Sequence, residues 1–173
     1  MLDARHWHST AEDRAADYPC AKYLTGPYRR YFRAVDVAAP PPVVFRWLCQ
    51  LKVAPYSYDW LDNRGRRSPR RLTPGAEELA VGQHLQIFEL VEFEPDVQLT
   101  GVILPRAQRL FGPVAITYRV NPHGAAASRL VVRLDVAASS APARLRRSVL
   151  ALGDLVMMRK QLLTFKALAE RDA

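Results

Sequence analysis

Two kinds of residue in this chain have types and spacing suited to chemistry. The first is the run Ala54 to Pro74, which gathers three aromatics (Tyr56, Tyr58, Trp60), two acids (Asp59, Asp62) and five arginines (Arg64, Arg66, Arg67, Arg70, Arg71) around turn residues. Loops carry function because a rigid scaffold presents them. Large aromatics in a loop cover either a core or a ligand, so these three are read as gating a cavity or as anchoring the loop. The second kind is a polar group on an apolar strand face. Along Gln83 to Phe93 the more apolar face is Leu85, Ile87, Glu89, Val91 and Phe93. If that face points inward it takes Glu89 with it. A carboxylate in apolar surroundings has a raised pKa and can act as a general acid or base. A one-residue slip or a bulge would throw Glu89 outward instead. Tyr118 shares the alternating face Val114, Ile116, Val120; its hydroxyl needs a partner, in a ligand or in a neighbouring group.

Other constellations are poor. His6 and His8 flank Trp7, and His84 and His123 stand apart from them and from both cysteines, so no metal site is expected. No GxSxG, GxGxxG or P-loop occurs, and no cofactor is implied. The net charge of +8 comes from 21 Arg against 4 Lys. With many Ala and Pro residues it reads as compositional bias laid over a solvated surface. Arg64 to Arg71 (RGRRSPRR) would bind an anionic surface or nucleic acid in a lesser reading, but lacks interleaved stacking aromatics. Cys49 falls in an apolar helical pattern and Cys20 in a polar segment, which speaks against a disulfide framework. No apolar run approaches a membrane span, and the N-terminal stretch has no secretory h-region. A soluble, cytoplasmic protein is expected. The oligomeric state is not readable.

The elements that must position these groups follow from periodicity. A helical turn over Ala11 to Ala16, capped by Ser9 or Thr10, belongs to an N-terminal extension of residues 1–25; residues 26–173 are read as one domain. Tyr28 to Val37 is a strand, rich in aromatic and β-branched residues. A helix follows from Pro42 to Lys52, then a short one over Tyr56 to Leu61. Gln83 to Phe93, Val97 to Leu104, Val114 to Val120 and Arg129 to Val136 form an antiparallel meander. In the last strand Leu130, Val132, Leu134 and Val136 face in, while Arg129, Arg133 and Asp135 face a wet side, with one lapse at Val131. A long helix from Ala141 to Arg171 carries the stripe Val149, Leu152, Leu155, Met158, Leu162, Phe165. At about 1.5 Å per residue it can cross a whole sheet.

This order, a strand, two short helices, a run of strands and a closing helix, is an α+β layer arrangement. It resembles the helix-grip fold of the START-like (SRPBCC) superfamily, which includes polyketide cyclase/dehydrase-type proteins. The correspondences are YFRAVDV, APPPVVFRWLCQL, VGQHLQIFELVEF, FGPVAITYRV, SRLVVRLDV and the closing helix. The resemblance implies a curved antiparallel sheet wrapped around the long helix, enclosing an apolar cavity. The residues expected to line it are Tyr56, Tyr58, Trp60, Ile87, Glu89, Ile116, Tyr118, Leu134, Met158, Leu162 and Phe165. The partner implied is a small hydrophobic molecule such as a lipid or polyketide. A cyclase or dehydratase in the same cavity is the alternative, with Glu89 and Tyr118 as the catalytic candidates.

Overall fold

The computed structural model describes residues 5–58, 65–138 and 141–173. Seven strands form one open sheet in the order β1-β2-β7-β6-β5-β4-β3. They are β1 (His6–Trp7), β2 (Tyr28–Val37), β3 (His84–Leu85), β4 (Phe88–Glu94), β5 (Gln98–Ile103), β6 (Val114–Pro122) and β7 (Ser128–Ala137). Among the described residues only the β1–β2 pair is parallel. The helices are α1 (Ala11–Ala15), α2 (Pro41–Cys49), α3 (Pro105–Phe111) and α4 (Ala141–Arg171), with 3-10 turns at Pro19–Tyr23 and Gln50–Lys52. α2 starts on prolines, which suit a first turn because they have no N–H to satisfy there. The α+β helix-grip arrangement expected above is the one observed, with α4 laid across the concave face.

That face is built by strict alternation. Val35 and Val37 of β2, Leu130, Val132 and Leu134 of β7, and Ile116, Tyr118 and Val120 of β6 join Met158, Leu162, Phe165 and Leu168 of α4 and the inner side of α2 in one buried cluster. The side chains of Val149, Leu152 and Leu155 lie outside the described residues. The end of α4 is tied to the start of α2. Ala38 N donates to Glu170 Oε1 (2.8 Å) and Trp47 Nε1 to Asp172 Oδ2 (3.2 Å).

Three expectations need correction. Gln83–Phe93 is not one strand. A two-residue turn at Gln86–Ile87, with Gln86 at φ 60°, separates β3 from β4, and the register with β5 shifts between Leu90 and Glu92. Second, the convex face is not wet. The segment after β1 lies over it, and Tyr18 and Cys20 pack with Phe32, Ala34, Ala115 and Val131. The lapse at Val131 is the inward position of this second core. Arg133 and Asp135 are buried there as a two-pronged pair, Nε to Oδ1 at 2.9 Å and Nη2 to Oδ2 at 2.8 Å. Third, Cys20 is fully buried despite its polar neighbours in sequence. Burial raises its thiol to about 11 and that of Cys49 to about 12, and both are free. Thiols held protonated in this way are poor nucleophiles.

The covering segment is clipped by one residue. Thr10 caps α1 through a box with Asp13: Thr10 Oγ1 accepts from Asp13 N (3.1 Å) and Thr10 N donates to Asp13 Oδ2 (2.7 Å). Arg129 Nη2 donates to the same Asp13 oxygen at 2.7 Å and to the His8 carbonyl at 2.7 Å, while Nη1 reaches Asp36 Oδ1 at 2.7 Å. Burial alone would raise the Asp13 carboxyl. The hydrogen bonds from Arg129 and Thr10 outweigh it and hold the group below the usual carboxylate range. Its stabilisation is therefore complete above the unfolded value of about 3.9 and is lost as pH falls through the lower folded value. Asp13→Ala should lower unfolding free energy by about 2 kcal/mol at neutral pH. In urea melts the gap to the parent chain should close as pH drops below about 4; a gap that stays constant with pH would contradict the clip.

Candidate functional site

The rows of the concave face define an open end and a closed end. Tyr31, Leu134, Ile116, Gly101 and Leu90 form one row across β2, β7, β6, β5 and β4. Beyond it, toward the start of β2, lie Val136, Val114, Ile103 and Phe88. Toward α2 lie Val132, Tyr118, Leu99 and Phe93. Gly101 is needed in its row, because a Cβ there would come within 2.9 Å of Phe88 Cβ. The α2 end is closed. Trp47, Leu162 and Phe165 have no exposed surface. Tyr56 is 1% exposed, with its ring 5.2 Å from Phe165 and 6.0 Å from Trp47. It adopts a left-handed φ of 56° to reach this position, a conformation rare for bulky residues and sustained by packing. Tyr56 is thus an anchor of its loop, not a gate. Tyr58 is half-buried, and Trp60, Asp59, Asp62 and Arg64 lie outside the described residues. So does most of the short helix expected over Tyr56 to Leu61. Arg66, Arg67, Arg70 and Arg71 are exposed.

The opposite end is looser. Tyr31, Phe88, Phe111 and Val136 pack against the concave core yet remain only partly buried. A cavity of about 280 Å³ opens at the same end of the sheet, between Tyr23–Thr25, Val102, Ile103, Gln108, Pro113, Val114 and Ala137; Tyr23, Leu24 and Val102 among its walls pack against the outer core. Ile103 and Val114 belong both to its wall and to the concave core.

One polar chain crosses the middle of the face. The Tyr118 hydroxyl donates to Gln161 Oε1 (2.8 Å), and Gln161 Nε2 donates to the Pro55 carbonyl (2.6 Å). The tyrosine partner is therefore a side chain of α4, with Met158 Sδ 3.8 Å from the hydroxyl. Gln161 was missed in the sequence. Its signal was its place within the apolar stripe, three residues after Met158 and four before Phe165. Arg33 was missed in the same way. It is 2% exposed on the inner side of β2, its guanidinium 5.8 Å from the Tyr31 ring, with Nη1 donating to the carbonyls of Phe32 (2.9 Å) and Arg5 (3.3 Å).

Of the expected lining residues, Ile116, Tyr118, Leu134, Met158, Leu162, Phe165 and Tyr56 come together in the concave core. Glu89 and Ile87 do not. Ile87 sits in the turn, 38% exposed, and Glu89 is exposed and paired between His84 and Val102. The turn at Gln86 resets the alternation so that Leu85, Phe88 and Leu90 face the helix. Glu89 points to the other side and supplies no carboxylate to the concave face.

Comparison with known proteins agrees with this geometry. No protein-family model and no curated protein matches the chain, but solved structures do. A norcoclaurine synthase point mutant from Thalictrum flavum, in complex with a transition-state analogue, has a TM-score of 0.52 at 14% identity, covering 87% of this chain and 99% of that one. A protein from Thermobifida fusca has a TM-score of 0.52 at 17% identity, covering 80% and 94%. The fold is the helix-grip fold that these structures share. The di-domain aromatase/cyclase StfQ of the steffimycin biosynthetic pathway shares it, with a TM-score of 0.51 at 14% identity over 84% of this chain and 51% of that one. Identities this low speak for the helix-grip fold alone. Among the described residues no helix is long and apolar enough to cross a membrane.

The polar chain makes a direct prediction. Tyr118→Phe strips Gln161 Oε1 of its donor and should cost about 1–2 kcal/mol. In a double-mutant cycle with Gln161→Leu the two changes should be coupled by about 1 kcal/mol. Additive losses would mean that the hydroxyl is not held by Gln161.

Proposed function

We propose that the chain binds a small hydrophobic molecule between α4 and the open end of the concave face. The observation that carries this reading is the contrast between the two ends. Trp47, Leu162 and Phe165 are packed shut. Tyr31, Phe88, Phe111 and Val136 form an apolar rim that the protein leaves partly open. Ligand sites are concave and mostly apolar with few polar groups, and the inner face offers Arg33 and the Tyr118–Gln161 pair. On this reading Leu134, Ile116 and Met158 form the floor and Tyr118 marks the inner limit. Residues 26–173 would constitute the binding domain, with residues 11–25 of the N-terminal extension as a cover on its outer face.

A cyclase or dehydratase working in the same chamber would lack Glu89 and would have to use Tyr118 or Arg33. With the Tyr118 hydroxyl spent on Gln161, binding is the reading we adopt.

The uncharged fluorescent probe N-phenylnaphthylamine tests it. The parent chain should bind it saturably. Val136→Trp, which fills the rim from a half-exposed position, should weaken binding at least tenfold with the urea midpoint preserved. Ile87→Trp, in the outer turn, should leave binding unchanged. Absence of saturable binding by the parent chain would overturn the proposal, as would equal effects of the two variants.

A further inference from the structure

At the free side of β2, away from the meander, lies a second recess of about 580 Å³. Its described walls are Arg5, His6, Tyr28, Arg29, Arg30 and the Gly26–Pro27 corner. It exists because β1 is so short. β1 pairs with β2 only at Phe32 and Arg33, so the edge of β2 before them is not covered by a strand among the described residues. Arg29 and Arg30 are adjacent on a strand and therefore project to opposite faces. A recess that touches both wraps around the strand edge.

The wall is cationic, and the charges of two of its residues, Arg29 and Arg30, are not spent on ion pairs among the described residues. Both are exposed. Arg129 and Arg133, by contrast, are consumed by Asp13, Asp36 and Asp135. No acidic residue is among the described walls. Two features give the group order. The Arg5 carbonyl accepts from Phe32 N (2.7 Å) and from Arg33 Nη1 (3.3 Å), which fixes the Arg5 backbone at the rim. The Arg30 guanidinium lies 5.7 Å from the Tyr28 ring centre, a stacked position that holds its planar fork. Alternation along β2 also turns the Arg30 N–H toward the same edge as that of Phe32, adding a main-chain donor.

Guanidinium forks match phosphate oxygens in pairs, and clustered cations without counter-charges attract such anions. The recess lies within the roughly 300–1,000 Å³ range of small-molecule sites. We propose that this recess is a binding site for a phosphate group, with Arg29 and Arg30 as its principal donors and Arg5 at the rim. The exposed arginines of residues 65–71 differ from it, because they line neither of the two recesses described. Arg29 lies opposite the rim residue Val136 on β7, but Tyr31, Phe88, Phe111 and Val136 are not among the described walls of the recess, and the neutral probe used above does not report on its charge.

The test uses the full chain with two probes, sodium pyrophosphate in solution and phosphatidylcholine vesicles containing phosphatidic acid. Calorimetry should show saturable binding of pyrophosphate, and Arg29→Gln/Arg30→Gln should weaken it at least tenfold. Arg66→Gln/Arg67→Gln should bind as the parent does. Binding to the vesicles alone, lost in the same Arg29/Arg30 variant, would support the site and assign its phosphate to a lipid headgroup. Urea midpoints of both variants check that folding is intact; the substituted residues are exposed. The proposal is overturned if neither probe binds, if the Arg29/Arg30 variant binds as well as the parent, or if the Arg66/Arg67 variant loses binding equally.

Discussion

The antiparallel pairing of β2 with β7, from Tyr28 opposite Ala137 to Val37 opposite Ser128, is the contact on which the rest of the molecule depends. It joins the first long strand to the last across the whole intervening meander. It sets which end of the sheet meets α2 and the end of α4. Because side chains alternate, a slip of one residue would exchange Val35 and Val37 for Phe32 and Ala34 on the helix side. Both cores hold the register, since each face of β2 has its own apolar partners. The closed end of the concave chamber is the end where β2 runs into α2, and the open end is where β2 begins.

Burial on both faces of the sheet has a consequence for its polar residues. On the convex side Thr100 and Thr117 share a hydrogen bond of 2.9 Å, and Thr117 Oγ1 accepts from Cys20 N at 3.1 Å. Arg133 and Asp135 satisfy one another beneath the same segment. Removing one member of such a pair leaves a buried charge uncompensated, whereas the intact pair contributes little net stability. The segment of residues 5–25 is therefore held less by these groups than by Tyr18 and Cys20 in the outer core and by the Asp13–Arg129–Asp36 clip at its edge.

Legibility in the sequence followed how many signals each residue carried. β2, β6, β7 and α4 have long runs whose period repeats several times, and their faces were readable from that alone. Glu89 was misplaced because its face depends on one local event, the left-handed turn at Gln86, which no glycine or proline marks. The single lapse at Val131 was visible but had no partner until Tyr18 and Cys20 were placed over it. α3 was not foreseen because it fully buries no residue, and its apolar side, Ala107 and Phe111, is only one turn long. Gln161 and Arg33 both sit on apolar faces, where a polar residue is itself the signal. The ligand proposed here was not legible, since apolar floors of similar shape accept many molecules.

The central claim is that the open end of the concave face holds a small apolar molecule. Native mass spectrometry of the purified chain, set against its denatured mass, tests this most directly. The account predicts a native mass higher by one small molecule, either co-purified or acquired on incubation with N-phenylnaphthylamine, and released on denaturation. Native and denatured masses that agree before and after that incubation would contradict it.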